Sequence, residues 1–342
     1  MDGEGICAGE YMVETKGITD DMSNNILILS CGTRDLLVRY FKRADYERVI
    51  GADCSELAPA LYEADKYYLI PRMKEEGYFD AILEICRKEG ITAILPLQED
   101  ELNLISENRE LFEQEGIRTI VSPVETLQIC RDKYCFFEHM TEHGIPVLNS
   151  YIDLAEFEEA YEAGKIGFPV FVKPVRGAGS VGVMKVSCME LLKVLFAYSE
   201  EPLLIQEFCN GREFGIDVYV DLVSGEVVDI FAKEKLRMRA GETEKSVTSN
   251  DPALKEFVYR AASTLKLSGP VDMDVFEKDG IFYLSEINPR FGGGFPHAYA
   301  CGVDTPSYIL QNLQGIANES HLQEKREEIY VLKYSDILCI DR

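Results

Sequence analysis

Short apolar runs alternate with more polar segments over the first third of the chain. Residues 26–30, 49–53 and 92–96 consist mainly of Ile, Leu, Val and Ala and predict buried β-strands. Residues 36–41 predict a helix that follows a turn at residues 32–34. A strand–helix alternation of this kind predicts a parallel sheet with helices on both of its faces.

The first strand–helix turn contains a single glycine, Gly32. Asp53 lies where an acid that binds ribose would follow a dinucleotide-binding loop. Because such a loop needs several glycines to approach a pyrophosphate, we expect no NAD site in this part of the chain.

A glycine-rich turn separates two apolar segments in the middle of the chain. Gly177, Gly179 and Gly182 match the pattern G-x-G-x-x-G, and residues 168–172 before them predict a strand. Residues 183–186 alternate like a second strand, where a dinucleotide fingerprint would begin a helix. Neither a P-loop Lys-Ser or Lys-Thr nor the kinase signatures H-R-D and D-F-G are present. The pattern predicts a flap whose backbone N–H groups could cover phosphates, with a plain flexible turn as the alternative.

Two lysines accompany this flap. Lys173 lies in the strand that enters the flap, where a buried ammonium group needs an anion. Lys133 follows Asp132 at the start of a separate segment. Either lysine alone would be an ordinary surface residue, but together with the flap they predict a polyphosphate site.

A predicted strand at residues 203–208 breaks at residues 210–211, and exposed backbone at such a break could bind the edge of a purine.

Acidic side chains cluster on a predicted hairpin whose turn is at residues 277–280. Since residues two apart on a strand point to the same side, Asp272 and Asp274 share one face, and so do Glu286 and Asn288. Carboxylate and amide oxygens suit Mg²⁺, which binds them together with substrate phosphates. A solvated face of an antiparallel sheet is the alternative interpretation.

The residues after this hairpin add a cation and a run of glycines. Arg290 falls on the same side of the strand, where a fixed cation could face a phosphoryl group. Gly292, Gly293 and Gly294 would let the backbone approach a ligand closely.

Composition excludes two broad classes of protein. The 342 residues include 60 acidic and 35 basic side chains, a net charge of −25, so we expect no nucleic-acid partner. No apolar run approaches about 20 residues, so we expect no membrane association.

Residues 1–24 are polar and acidic, unlike a signal peptide, and predict a flexible extension. Ten cysteines without a C-x-x-C pair predict reduced thiols in a cytoplasmic protein.

Two other kinds of site remain as minor alternatives. His139 and His143 match the zinc-protease pattern H-x-x-E-H, but a helix end terminated by Gly144 explains them better, because histidine is favourable there. Cys31 and Cys301 are candidate nucleophiles, but no partner histidine is evident for either of them.

Taken in order, these segments resemble the ATP-grasp superfamily over about residues 25–320. The resemblance rests on Asp132-Lys133, Val172-Lys173-Pro174, the glycine flap, Gln206-Glu207-Phe208, Gly211-Arg212-Glu213, Asp274 and, most strongly, Glu286-Ile287-Asn288-Pro289-Arg290. Within the superfamily the chain is most similar to one half of the large chain of carbamoyl phosphate synthase and to stand-alone relatives of that half. We recognise no second half and no ammonia-producing glutaminase section.

The resemblance implies an α/β protein with the ATP-grasp fold. It would contain an N-terminal Rossmann-like (pre-ATP-grasp) domain, a small α/β lid subdomain and a C-terminal, mostly antiparallel α+β subdomain. The expected boundaries are residues 25–130, 131–200 and 201–320, followed by a C-terminal strand and tail at residues 321–342.

The resemblance also implies roles for individual residues. The cofactors would be ATP and two Mg²⁺ ions, with Mn²⁺ as a substitute. Contacts with ATP would come from Lys133, Lys173, Gly177, Gly179, Ser180, Gly182, Gln206, Glu207, Phe208, Cys209 and Glu213. The metal ligands would be Asp274, Glu286 and Asn288, with Asp272 as the alternative to Asp274. Lys173 and Arg290 would act in catalysis, Arg290 by neutralising charge on an acyl phosphate.

The implied reaction is ATP-dependent ligation of a small-molecule carboxylate to an amine or thiol, and the protein would be a homodimer like many relatives. Two alternatives stay open: carbamoyl phosphate synthase-like activity on bicarbonate or carbamate, and a nucleotide-binding regulator without turnover. Substrate contacts are expected from a cationic row, Lys233, Lys235, Arg237 and Arg239, and from Gly293 and His297. A solvated run of charges is the alternative interpretation of that row.

Overall fold

The computed structural model describes residues 24–177, 182–239, 241–323, 328–334 and 336–340. Gly179 and Ser180 of the predicted flap, and most of the predicted N-terminal extension, lie outside these residues.

Five parallel strands form an N-terminal sheet in the order β3-β2-β1-β4-β5. The elements of this domain are β1 (Asn25–Leu29), α1 (Asp35–Arg43), β2 (Arg48–Asp53), a 3-10 helix (Pro59–Glu63), β3 (Lys66–Leu69), α2 (Tyr78–Glu89), β4 (Ala93–Pro96), α3 (Glu99–Glu107), α4 (Arg109–Gln114) and β5 (Arg118–Thr119). Alternate side chains of β1 enter different hydrophobic clusters, Ile26 and Ile28 one and Leu27 and Leu29 the other. The predicted parallel sheet with helices on both faces is therefore confirmed.

In this five-stranded sheet, the two strands that the sequence did not predict are the edge strands, β3 and β5. β3 exposes most of its side chains and β5 has only two residues, so neither carries the apolar run of a central strand.

A four-stranded antiparallel sheet, in the order β6-β9-β7-β8, forms the small subdomain. Its segment of the chain contains α5 (Val124–Arg131), α6 (Lys133–Glu142), β6 (Ser150–Tyr151), α7 (Leu154–Glu162), β7 (Val170–Pro174), β8 (Met184–Val186), α8 (Met189–Tyr198) and β9 (Leu203–Glu207). β7 and β8, the strands on either side of the glycine-rich segment, pair in antiparallel fashion. Because β9 pairs with β6 and β7, the small subdomain extends beyond the predicted boundary at residue 200.

A six-stranded antiparallel sheet, in the order β14-β13-β10-β11-β12-β15, forms the C-terminal subdomain. The elements are β10 (Arg212–Val220), β11 (Val227–Arg239), β12 (Glu242–Ser249), α9 (Pro252–Ala262), β13 (Gly269–Lys278), β14 (Ile281–Asn288), α10 (Phe295–Ala300), α11 (Thr305–Leu313) and β15 (Tyr330–Leu332). The predicted acidic hairpin is β13–β14, and the mostly antiparallel character of this subdomain is confirmed.

One hydrophobic cluster joins the N-terminal domain to the C-terminal subdomain. It combines Ile26 and Phe41 with Phe231, Phe291 and Phe295. This packing holds the carboxyl end of β1 against the segment that follows the acidic hairpin. No helix in the part of the chain that the structure describes has the length and apolar character to cross a membrane.

Candidate active site

A cavity of about 430 Å³ lies where the three units meet. Fourteen of the residues singled out in the sequence line it: Lys133, Lys173, Gly177, Gln206, Glu213, Lys233, Lys235, Asp272, Asp274, Glu286, Asn288, Arg290, Gly293 and Gly294. They come from α6, from both antiparallel sheets, from the start of the flap and from the segment after β14. Residues that are far apart in the chain are thus brought to one polar cavity.

The acidic hairpin pairs the predicted residues, through a register shift between Asp274 and Val275 that the sequence did not predict. Asp274 is paired with Glu286, and Asp272 is paired with Asn288. Asp272 accepts a hydrogen bond from Arg290 Nη1 at 3.1 Å, and Asn288 Nδ2 donates to Glu286 Oε1 at 3.1 Å. Both aspartates therefore have a cationic partner, and what distinguishes Asp274 is its position directly opposite Glu286 on the hairpin.

Burial and the neighbouring carboxylates Glu286 and Asp272 raise the pKa of Asp274 to about 7. Lys235 opposes this shift, since its Nζ lies 2.6 Å from Asp274 Oδ1 and 2.8 Å from Glu213 Oε1. A divalent cation would offset the repulsion between these carboxylates, as Lys235 does.

The donor set fits Mg²⁺ bound together with a phosphate, but not a metal cage built from protein alone. Among the described residues, no three His, Cys, Asp or Glu side chains are grouped so that they could hold a metal ion. Asp274 and Glu286 supply two carboxylates and Asn288 an amide. Mg²⁺ is commonly held by one or two carboxylates, with phosphate oxygens and water completing its coordination.

Both predicted lysines contact neutral oxygens at the rim of the flap. Lys133 Nζ donates to the Gly177 carbonyl at 2.7 Å, and Lys173 Nζ donates to Gln206 Oε1 at 2.9 Å. Gln206 is itself held by Ser150 Oγ at 3.1 Å. Burial lowers the pKa of both lysines, that of Lys173 to about 8. Two lysines without a carboxylate partner suit a ligand that brings its own negative charge.

The pKa of Lys173 gives a testable pH dependence. A lowered pKa means that the free protein loses this positive charge as the pH rises through about 8. If the charged lysine binds phosphate, the Kd for ATP should rise above pH 8, by up to about tenfold per pH unit. Titration calorimetry between pH 7 and about pH 9.5 would measure this. Lys173→Arg should keep its affinity over the same range, because arginine stays protonated. An identical pH dependence in the two proteins would contradict the assignment.

Three of the residues predicted to contact ATP, Glu207, Phe208 and Cys209, do not line the cavity. Glu207 accepts a hydrogen bond from Asn149 Nδ2 at 2.8 Å, and Cys209 is buried. Phe208 packs edge-on against Phe171 at a centroid distance of 5.3 Å, and Phe171 lines the cavity. Phe208 thus supports the cavity wall through Phe171, and of residues 206–209 only Gln206 is part of the described lining.

The cavity also has an aromatic lining that we did not predict, formed by Phe136, Phe171 and Phe276. These residues lie on three different elements, so no local pattern in the sequence links them.

Gly182, which follows the glycine-rich segment, does not line the cavity. It has a φ of +73°, a backbone conformation that favours glycine.

The predicted cationic row on β11 is divided, because Lys233 and Lys235 line the cavity and Arg237 and Arg239 do not. Lys233 is 1% exposed and is paired with Asp217, while the β11 register shifts between Lys235 and Arg237. Beyond the shift, Arg237 and Arg239 are exposed and pair with Glu244 of β12. The β-bulge turns these two arginines away from the cavity, so the structure does not bring them together with the other predicted site residues.

His297 is also placed differently from the prediction. It is 2% exposed, and its Nδ1 lies 2.7 Å from Ser246 Oγ. Burial and the charge of Lys233 lower its pKa to about 4, so the ring is neutral at pH 7. His297 is a buried residue of the adjoining core and does not line the cavity.

The minor alternatives gain no support. His139 Nε2 lies 3.0 Å from the Thr264 carbonyl, and His143 Nδ1 lies 2.7 Å from the His139 carbonyl, as the helix-end interpretation predicts. Burial raises the pKa of Cys31 to about 12, which disfavours the nucleophilic thiolate.

Glycines let lysine side chains pass close to the backbone beneath the cavity. A Cβ at Gly215 would lie 3.1 Å from Lys235 Cε, and one at Gly294 would clash with Lys233. The glycine run after Arg290 is thus explained in part by the side chains that cross it, and not only by ligand approach.

Family profiles match two parts of the chain. One, described as "PylC-like, N-terminal domain", matches residues 26–120. The other, described as "ATP-grasp in the biosynthetic pathway with Ter operon", matches residues 199–337.

Curated proteins with similar sequences include two kinds of ligase. The carbamoyl phosphate synthase large chain of Methanothrix thermoacetophila is 23% identical over 290 residues, which cover 79% of this chain and 26% of that protein. The D-alanine–D-alanine ligase of Geobacillus thermodenitrificans is 29% identical over 189 residues, 49% of this chain and 52% of that protein. The chain therefore spans about half or less of the length of these relatives.

Solved structures with the same fold include nucleotide complexes. The N5-carboxyaminoimidazole synthetase of Staphylococcus aureus complexed with ADP superimposes with a TM-score of 0.71 at 16% identity, covering 87% of this chain and 79% of that one. The biotin carboxylase domain of the 2-oxoglutarate carboxylase of Hydrogenobacter thermophilus, in complex with MgADP, ADP and bicarbonate, gives a TM-score of 0.72 at 21% identity, covering 90% and 73%.

Proposed function

Because the chain belongs to the ATP-grasp superfamily, we propose that it is an ATP-dependent ligase that joins a small-molecule carboxylate to an amine or thiol. ADP and phosphate would be released. The names of its relatives support this reaction class, since carbamoyl phosphate synthase and D-alanine–D-alanine ligase are both among them.

The observation that carries the proposal is the convergence of opposite charges in one cavity. Asp274 and Glu286 lie together with Lys133, Lys173 and Arg290 in its lining. A phosphoryl group in transfer needs cations around its oxygens and an anionic site for the metal ion that accompanies ATP. The lining supplies both kinds of group.

The nucleotide would occupy the side of the cavity next to the flap. Lys133 and Lys173 would contact its phosphates, and Phe171 would lie against the purine. Glu213 would bind the ribose hydroxyls, since its second carboxylate oxygen is not used by Lys235. An aromatic surface in a cavity, next to two cations, is an arrangement that suits the base and the phosphates of a nucleotide.

Asp274, Glu286 and Asn288 would hold Mg²⁺, or Mn²⁺ in its place. When bound, the ion would neutralise charge on the phosphate oxygens. The residues of the chain would orient the nucleotide against the acid and keep water away from the reacting groups.

The reaction would proceed in two steps. A carboxylate oxygen of the acid attacks the γ-phosphorus of ATP, the bond to the bridging oxygen breaks, and ADP leaves. The amine or thiol then attacks the carbonyl carbon of the acyl phosphate, loses a proton to solvent, and inorganic phosphate leaves. Arg290 would neutralise the charge of the acyl phosphate, because its guanidinium lies next to the acidic hairpin.

We also propose a cytoplasmic location and homodimer formation. None of the nine cysteines of the described residues forms a disulfide, which fits a reducing compartment.

ADP release by the purified protein with Mg²⁺-ATP tests the function. Amino acids, dipeptides, hydroxy acids and bicarbonate would be supplied singly and in pairs. ADP that forms only with one acid–amine pair would support ligation and identify both substrates. ADP with bicarbonate alone would favour the carbamoyl phosphate synthase-like activity instead. No ADP under any condition, with ATP binding intact by calorimetry, would refute turnover and favour a regulator.

A further inference from the structure

The N-terminal domain contributes one cation to the cavity, Arg34. This residue lies in the turn between β1 and α1, at the carboxyl end of a strand of the parallel sheet. Ligands of open parallel sheets bind outside this edge, near the point where the strand order reverses. In the order β3-β2-β1-β4-β5 that point lies between β1 and β4.

The turn that carries Arg34 is held from several directions. The Gly32 N–H donates to Asp53 Oδ2 at 2.8 Å, and the Arg34 N–H donates to the Cys31 carbonyl at 2.9 Å. Ser30 Oγ donates to Glu101 Oε1 at 2.7 Å. The side chain of Arg34 therefore extends from a fixed backbone, which lowers the entropy cost of binding a ligand there.

Arg34 differs from every other cation in the described lining of the cavity. Each of the others has a partner: Arg131 has Asp100, Lys133 has the Gly177 carbonyl, Lys173 has Gln206, Lys233 has Asp217, Lys235 has Glu213 and Asp274, and Arg290 has Asp272. The guanidinium of Arg34 makes no hydrogen bond or ion pair with any residue that the structure describes. Burial lowers the pKa of Arg34, and the charge of Arg290 adds to this shift, while the nearby carboxylates Glu242 and Asp272 oppose it without forming an ion pair with the guanidinium.

The surroundings of Arg34 place it on the Arg290 side of the cavity. A Cβ built at Gly293 would lie 3.1 Å from Arg34 Nη1 and 3.3 Å from the Glu242 carboxyl carbon. The guanidinium thus lies across the glycine run that follows Arg290. Glu242 is already bound by Lys333 at 2.9 Å. The phosphate-binding lysines, in contrast, lie on α6 and β7 of the small subdomain.

We propose that the acid substrate carries a second anionic group and that Arg34 binds it, while Arg290 faces the carboxylate that is phosphorylated. This inference rests on the proposed ligase function. The second group is an oxyanion, a carboxylate or a phosphate, because the planar guanidinium donates two parallel hydrogen bonds to either. A substrate with one negative charge would leave the half-buried guanidinium of Arg34 without a hydrogen-bonded anion, at a cost in binding free energy.

Matched acids that differ in the second anion test the inference. The pairs are butyrate and succinate, alanine and aspartate, and glycerate and 3-phosphoglycerate. Hydroxylamine serves as the amine in every assay, because it traps acyl phosphates as hydroxamates. We expect the dianionic member of at least one pair to have a kcat/KM about 10- to 100-fold above that of its partner. The assays with succinate and aspartate test for a second carboxylate, and the assay with 3-phosphoglycerate tests for a phosphate.

Arg34→Ala should remove this preference. We expect the KM of the dianionic acid to rise about 10- to 100-fold while kcat and the KM of ATP change less than about threefold. Arg34→Lys should lie between the two proteins, since it keeps the charge but not the planar donor pair. Arg39→Ala is the control, because Arg39 lies on α1, is paired with Glu63 and does not line the cavity. Thermal melting of each variant would verify folding.

Four results would overturn the inference. Monoanionic acids as good as their dianionic partners would refute it and leave the ligase function intact. So would an Arg34→Ala protein that keeps the wild-type KM for the dianionic acid, or one that loses affinity for ATP and for all acids equally. Absence of hydroxamate and ADP with every acid in the wild-type protein would refute the ligase function itself, and with it this inference.

Discussion

Glu286→Gln is expected to lower the rate of ADP release by about 10³-fold while the protein still binds ATP. Glu286 lies opposite Asp274 on the hairpin and accepts a hydrogen bond from Asn288 at 3.1 Å. The amide keeps the size of the side chain but removes one of two carboxylates that would hold Mg²⁺. The charge that develops on the transferred phosphoryl group would then lack part of its compensation. Steady-state ADP release and titration calorimetry would separate turnover from binding.

Glu277→Gln is the matched control for this prediction. Glu277 lies on the same hairpin and undergoes the same chemical change, but it is paired with Arg212 and does not line the cavity. We expect near wild-type turnover in this variant. Equal losses in the two variants would show that the effect of Glu286→Gln comes from the fold of the hairpin. A fully active Glu286→Gln protein would contradict the metal-binding role.

Arg290→Ala is expected to lower kcat by about 10³-fold with little change in the Kd of ATP. The guanidinium lies at the end of β14, with one nitrogen 3.1 Å from Asp272 and 3.1 Å from the Phe291 carbonyl. Its remaining donors could face the acyl phosphate. Because that charge develops only during the reaction, loss of Arg290 should affect catalysis more than nucleotide binding. Single-turnover assays and calorimetry would measure the two effects.

A second variant distinguishes direct action of Arg290 from simple neutralisation of Asp272. If Arg290 served only to balance that carboxylate, the double variant Asp272→Asn with Arg290→Ala would recover turnover. We expect no recovery, because the acyl phosphate would still lack its cation. A double variant with kcat near the wild-type value would show that Arg290 is a positioning residue for the hairpin.

Local patterns in the sequence were sufficient for the elements that carry the candidate chemistry. Apolar runs predicted β1, β2 and β4 because central parallel strands are buried on both faces. Alternation predicted which face of β13 and β14 carries the acids, because the side-chain period of a strand is two residues. The same period made the prediction for β11 fail, since a β-bulge between Lys235 and Arg237 breaks the alternation and no residue type marks it.

The ATP-grasp resemblance, the lysines and the acidic hairpin are properties of short segments, so the sequence by itself determined the kind of site. Only the tertiary structure decided which side chains meet there. Lys235 joins Asp274 to Glu213 because β11, β10 and β13 are neighbours in one sheet. Arg34 reaches Gly293 because a hydrophobic cluster holds the N-terminal domain against the C-terminal subdomain. Contacts of this kind depend on packing between distant segments, which no local periodicity encodes.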